Sequence, residues 1–301
     1  MGTGAVVARR PKIGFVLGSG SARGWAHIGV LRALAEAGIK PDLIAGCSVG
    51  AFVGAAYAAG RLDQLEAWAL SLDWKRMLRL ADFGLRGGLI KGARINEVFR
   101  EQFVECDFSE LSIPFAAVAT DLHSGQEIWL REGSVSAAIA ASIAVPGLFR
   151  PVQHEDRYLV DGSVVNPIPV SLCRAMGADI VLAVDLGTDL VGSYVGDDDR
   201  APTRTSPRGF ISKILPRFNR SAEKDAEPEA PALLETFMGA INIMQLRIAR
   251  SRLAGEPPDV LITPRLGHLG LLDYHRAEPA IVEGHAAIVR MLPAIRNAIP
   301  A

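Results

Sequence analysis

The chain has 301 residues, 49% of them hydrophobic, and its 32 lysines and arginines nearly balance 33 aspartates and glutamates. That length allows one large domain or two small ones around an ample core, and the balanced charge without a basic stripe excludes a nucleic-acid binder. Three scattered cysteines, Cys47, Cys106 and Cys173, read as reduced thiols in a cytoplasmic protein. No signal peptide is expected, and no apolar run reaches the ~18 residues needed to span a membrane.

In chain order, residues 1–11 read as a tail and 13–17 as a continuous apolar run suited to a buried parallel strand. A glycine-rich stretch at 18–24 follows, then a helix over 25–37 whose Ile28, Leu31 and Leu34 share a face and which stops at Gly38. Residues 42–45 form the second strand, running through a turn at 46–50 into a small-residue helix that ends near Gly60. An amphipathic helix over 62–80, a glycine-rich loop at 84–92 and a helix over 95–103 come next.

Residues 115–120 and 126–130 flank a turn as a hairpin-like pair, 135–144 predicts a helix of small residues, and 158–160 is a short strand leading into Asp161. Residues 180–185 are a buried strand. Composition then shifts: 192–231 is rich in Asp, Arg, Pro, Ser and Glu and reads as a flexible insertion. A helix over 233–254, a strand at 260–263 and a helix over 277–291 complete the chain. Strands alternating with helices predict an α/β fold, with a core over 12–191 and a C-terminal helix-strand-helix unit, 232–301, packed on it.

Ser48 lies in Gly46-Cys47-Ser48-Val49-Gly50, between a strand and a helix. A sharp turn there lifts the hydroxyl clear of the sheet at a helix N-terminus, and the flanking glycines leave room for the neighbouring elements. The same pentapeptide also suits an ordinary surface turn. Its neighbour, Gly18-Ser19-Gly20-Ser21-Ala22-Arg23-Gly24, has two uses. A dinucleotide cradle would demand an acid at the far end of the second strand, but Asp42 sits at the near end, and no Gly-Lys-Ser/Thr completes a P-loop. The alternative is an oxyanion hole, in which loop amides stabilise the charge that develops during acyl transfer.

A serine nucleophile needs a base. The order Ser, Asp, His of α/β-hydrolases would nominate His275 or His285, but Ser48 follows only the second strand and those histidines lie in helical patterns. His27 follows the glycine loop. Asp161 is the stronger candidate: it ends a strand and precedes Gly162, so its carboxylate emerges with little cover, although Asp-Gly is also a common turn cap. No cluster of His, Cys and Asp has metal-ligand spacing, so neither a metal nor another cofactor is expected.

Together these motifs resemble the patatin-like phospholipase family, in particular its bacterial branch related to the catalytic domain of neuropathy target esterase. Supporting stretches are Arg86-Gly87-Gly88-Leu89, Ala119-Thr120-Asp121, Ala141-Ser142-Ile143-Ala144-Val145-Pro146-Gly147 and Asn166-Pro167. The likeness covers residues 12–185 closely and the C-terminal third more loosely. It implies a three-layer α/β/α fold with a mostly parallel central sheet, and a Ser-Asp dyad without a catalytic histidine. Ser48 would be the nucleophile within an elbow of Gly46, Cys47, Val49 and Gly50, Asp161 the base followed by Gly162, and 18–24 the oxyanion hole. Many family members carry three consecutive glycines in that loop, whereas here Ser19 and Ser21 flank Gly20.

The implied activity is hydrolysis of phospholipid, lysophospholipid or other fatty-acyl esters. Rival readings are a scaffold that keeps the fold without turnover and a lipid acyltransferase. Arg23 is expected to position the loop or meet an anionic headgroup. In the insertion, Phe210, Ile211, Ile214, Leu215 and Phe218 share a helical face near Arg208, Lys213, Arg217 and Arg220, the composition of an interfacial helix or lid, although Pro216 interrupts it. That break suits a disordered linker with incidental apolar residues better, and any membrane contact through 208–220 would be peripheral.

Overall fold

The computed structural model describes residues 9–73, 75–77, 93–187 and 233–299. The expected insertion at 192–231 with its interfacial segment 208–220, the glycine-rich loop at 84–92 and the start of the N-terminal tail lie outside the described residues.

Eight strands form one sheet. They are β1 (Ile13–Leu17), β2 (Leu43–Cys47), β3 (Phe115–Asp121), β4 (Glu127–Leu130), β5 (Val152–His154), β6 (Arg157–Asp161), β7 (Ile180–Val184) and β8 (Val260–Ile262). Strands β3, β2, β1, β7 and β8 lie side by side in parallel, while β4 and β6 pair antiparallel with β3, and β5 with β6. The helices are α1 (Ala26–Glu36), α2 (Val49–Ala58), α3 (Leu62–Leu70), α4 (Ala93–Gln102), α5 (Val135–Ser142), α6 (Val170–Ala175), α7 (Leu233–Gly255) and α8 (Ala277–Ala298).

The central strands are buried along their whole length, as continuous apolar runs in a parallel sheet must be. Alternation splits their side chains between two cores. Phe15 and Leu17 face a large cluster with Ile28, Leu31, Phe52 and Ile288 from α1, α2 and α8. Val16, Ala45 and Val118 face a smaller one with Leu172 and Cys173 of α6 and Ala249 of α7. The result is the expected three-layer α/β/α architecture with a mostly parallel sheet.

Three boundaries differ from expectation. The helix expected over 62–80 stops at Leu70, where Ser71 Oγ turns back to donate to Trp68 O at 2.6 Å; Asp73 Oδ1 then accepts from Arg76 N at 2.7 Å and opens a new turn. The last helix continues beyond Met291 and through Pro293 to Ala298, with Ile295 fully buried against the core. A 3₁₀ turn over Ser21–Trp25 precedes α1, so the glycine-rich stretch is itself partly helical.

Strand β3 is the element that positions the site. Strands β2 and β4 both pair with Ala117 and Val118, and β4 and β6 both pair with Ala119 and Thr120. A strand has two edges, so β2 and β6 must share the edge opposite β4. They run toward each other along it: β2 ends with Cys47 opposite Val118, and β6 ends with Asp161 opposite Ala119. Residues 48 and 161 therefore arrive end to end at one place.

Candidate active site

Ser48 follows β2 in a conformation, φ 56° and ψ −126°, that is rare for a residue with a Cβ, and α2 begins at once. The turn is this tight because its neighbours press on it. A Cβ at Gly50 would lie 2.0 Å from Leu17 O, and one at Gly46 2.5 Å from Ala51 Cα. Cys47 is fully buried, and burial holds its thiol well above its usual pKa, so it is protonated and inert at neutral pH.

The Ser48 hydroxyl donates to Asp161 Oδ2 at 2.6 Å, and Asp161 Oδ1 accepts from Ser163 N at 2.8 Å. The carboxyl is wholly buried. Burial raises its pKa from 3.8 to about 6, against the lowering effect of the bonds from Ser163 and Ser48. Its backbone is fixed as well: Asp161 N donates to Ala144 O at 2.9 Å, and Thr120 Oγ1 donates to Asp161 O at 2.9 Å. A Cβ at Gly162 would lie 2.3 Å from Val118 O, so the chain leaving the carboxylate passes directly over β3.

Ser142 at the end of α5 also reaches the elbow, a contact the sequence does not foretell. Rungs between β2 and β3 start with Ile44 N to Pro114 O at 2.9 Å, and their two-residue period would next but one join Ser48 N to Val118 O. The Ser142 hydroxyl occupies that rung instead, accepting from Ser48 N at 2.9 Å and donating to Val118 O at 2.7 Å. It satisfies both groups while the strand turns away. The helix around Ser142 was legible in the sequence; a contact 94 residues distant was not.

The glycine loop lies against the elbow, since a Cβ at Gly24 would meet Val49 Cγ2 at 2.1 Å and one at Gly50 would meet Gly18 O at 2.5 Å. Most of its amides are engaged: Gly18 N bonds to Val184 O, Ser19 N to Pro167 O, Ala22 N to Leu271 O and Arg23 N to Gly20 O. Gly20 and Ser21 remain as loop amides with no acceptor among the described residues. Arg23 is buried rather than on the surface, and its Nε donates to Leu269 O at 3.0 Å, tying the loop to the C-terminal third.

His27 is fully buried beneath the loop with Nε2 2.8 Å from Gly18 O. Burial lowers its pKa to about 4, so the ring is neutral and Nε2–H donates to the carbonyl. The late histidine His285 pairs instead with Glu36 at 2.8 Å. No imidazole stands between Ser48 and Asp161, whose hydrogen bond is direct. Among the described residues no group of His, Cys, Asp and Glu could hold a metal ion. Likewise, no described helix is long and apolar enough to cross a membrane.

A family model described as patatin-like phospholipase matches residues 15–174, more than half of the chain. The chain belongs to the patatin-like phospholipase family. Membership makes it a lipid acyl hydrolase by class. It is 33% identical to an uncharacterised NTE family protein of Mycobacterium tuberculosis (strain ATCC 25618 / H37Rv), over 94% of this chain and 92% of that one. It is 34% identical to patatin-like phospholipase domain-containing protein 6 of Mus musculus, over 79% of this chain and 18% of the mouse protein. Lysophospholipase NTE1 of Pyricularia oryzae is 27% identical over 95% of this chain and 19% of its own length.

Proposed function

We propose that the protein hydrolyses the fatty-acyl esters of phospholipids or lysophospholipids through a Ser48–Asp161 dyad. The observation that carries this reading is the direct 2.6 Å hydrogen bond from a serine in a strained strand-to-helix turn to a wholly buried carboxylate.

In the first step Ser48 Oγ attacks the ester carbonyl carbon, its proton passes to Asp161 Oδ2, and the carbonyl π pair moves onto oxygen. The Gly20 and Ser21 amides, which have no acceptor among the described residues, receive that oxyanion together with the Val49 amide at the start of α2. The bond to the leaving alcohol then breaks as Asp161 returns the proton to it, leaving Ser48 acylated. Water repeats the sequence and releases the fatty acid. An ordinary carboxylate is too weak a base for this; the raised pKa of Asp161, near 6, brings it within range of neutral pH. The second carboxylate oxygen stays bonded to Ser163 N and holds the first in line.

The test is hydrolysis of a panel of lysophospholipids, diacylphospholipids and short p-nitrophenyl esters, with the Ser48→Ala protein as control. The reading predicts that turnover of long-chain lipid esters vanishes in the control and that a fluorophosphonate probe labels Ser48. Turnover surviving in Ser48→Ala would remove it.

A further inference from the structure

The glycine-rich loop departs from a run of glycines at Ser21, and Ser21 adopts φ 54°, the left-handed region that disfavours a side chain. What holds it there comes from the other end of the chain. Ser21 Oγ donates to Leu271 O at 2.6 Å, and Tyr274 OH lies 2.8 Å from the same Ser21 oxygen. The one hydroxyl proton of Ser21 is committed to a carbonyl that can only accept, so Tyr274 is the donor to Ser21. Removal from water raises the phenol's pKa, which keeps that proton in place at neutral pH.

The grip extends along the loop. Ala22 N also donates to Leu271 O at 3.1 Å, Arg23 Nε to Leu269 O at 3.0 Å and Trp25 Nε1 to Tyr274 O at 3.1 Å. The Trp25 and Tyr274 rings meet edge to face with centroids 6.1 Å apart. A glycine at position 21 would reach the same φ without strain but would offer no side chain to hold. The serine accepts the strain and supplies a handle.

We propose that Tyr274, acting through the Ser21 hydroxyl, is a positioning residue that keeps the Ser21 amide aimed at the substrate's carbonyl oxygen. The segment 269–274 thereby takes part in catalysis without touching substrate. This rests on the reading of the 18–24 loop as the oxyanion hole given above.

The experiment compares Tyr274→Phe, Ser21→Gly and the double variant on a p-nitrophenyl ester, with Ser48→Ala as the reference for zero turnover. Two inhibitors are measured beside it. A trifluoromethyl ketone adds to Ser48 and forms an oxyanion, whereas an ether-linked lysophospholipid binds without reacting. Tyr274→Phe keeps the ring and its contact with Trp25. It is expected to lower kcat about ten- to hundred-fold with KM within about two-fold, the scale of a displaced oxyanion donor. The trifluoromethyl ketone should weaken in parallel and the ether lipid should bind unchanged. In the Ser21→Gly background the tyrosine has no hydroxyl to hold, so Tyr274→Phe should then change nothing further.

Wild-type kcat in Tyr274→Phe, or independent, additive losses from the two substitutions, would overturn the proposal. Equal weakening of both inhibitors would also overturn it, since a merely loosened fold does that. Should Tyr274→Phe fail to fold, Ser21→Gly decides alone through the split between the two inhibitors. Activity surviving in Ser48→Ala would instead strike at the dyad, a separate failure.

Discussion

Asp161 is an uncomfortable carboxylate, wholly buried and held by two hydrogen-bond donors, the Ser48 hydroxyl and the Ser163 amide. As the proposed base it must be ionised, so kcat/KM should rise with unit slope as pH rises and level off above about 6. Asp161→Asn preserves the shape but abolishes the base. A loss of about 10³-fold or more is expected, with the acid limb removed from whatever activity remains. An unchanged limb near pH 6 in that variant would assign the titration to another group. Ser142→Ala should act differently. It leaves Ser48 N and Val118 O facing each other across a vacated rung, costing about 1–3 kcal/mol of stability and slowing turnover without altering the pH profile; denaturant unfolding and a pH–rate series check both. Glycines beside Ser48 and Asp161 singled both out in the sequence, but each also suited an ordinary turn, and only the family resemblance joined them as a dyad. Ser142 and Tyr274 were not singled out, because their meaning lies in partners 94 and 253 positions away.

Elements rather than residues decide how the C-terminal third joins the sheet. Helix α8 crosses α1 at near backbone contact: a Cβ at Gly29 would lie 1.9 Å from Ile281 O, and one at Gly284 would lie 2.0 Å from Ala26 O. Neither obstacle is a movable side chain, so Gly284→Val must push the two helices apart. A loss of at least about 1–3 kcal/mol is expected from overpacking. Because α1 also carries His27 and continues the loop's 3₁₀ turn, activity should fall with it. Thermal unfolding of Gly284→Val within error of the native protein would show that the crossing is not so close. The long buried strands and amphipathic helices were readable from hydrophobic period. The six-residue α6, opened by Pro169, and the three-residue β5, half-buried and paired only with β6, are too short to leave a period and were missed. The pairing of β2 and β6 along one edge of β3 was likewise beyond the sequence, since register is a property of the assembled sheet.

For the whole molecule, the site leaves a signature in the dependence of stability on pH. His27 and Asp161 are both fully buried, and burial moves their pKa values in opposite directions from the ordinary ones. His27 falls from 6.5 to about 4 on folding, so between those values the unfolded chain holds the extra proton, and acidification destabilises the native state. Asp161 rises from 3.8 to about 6, so across nearly the same window the folded chain holds the extra proton, and acidification stabilises it. Each contribution is on the order of 3 kcal/mol, and in the native protein the two oppose each other. Substitution should expose them one at a time. Relative to the native protein, Asp161→Asn should gain stability as pH rises from about 4 to 6, because a buried charge no longer has to form. His27→Gln, whose amide can still reach Gly18 O, should gain stability as pH falls from about 6.5 to 4. The two difference curves, measured by denaturant unfolding across that range, must slope in opposite directions. Parallel curves would mean that at least one of these groups is not buried as the fold places it.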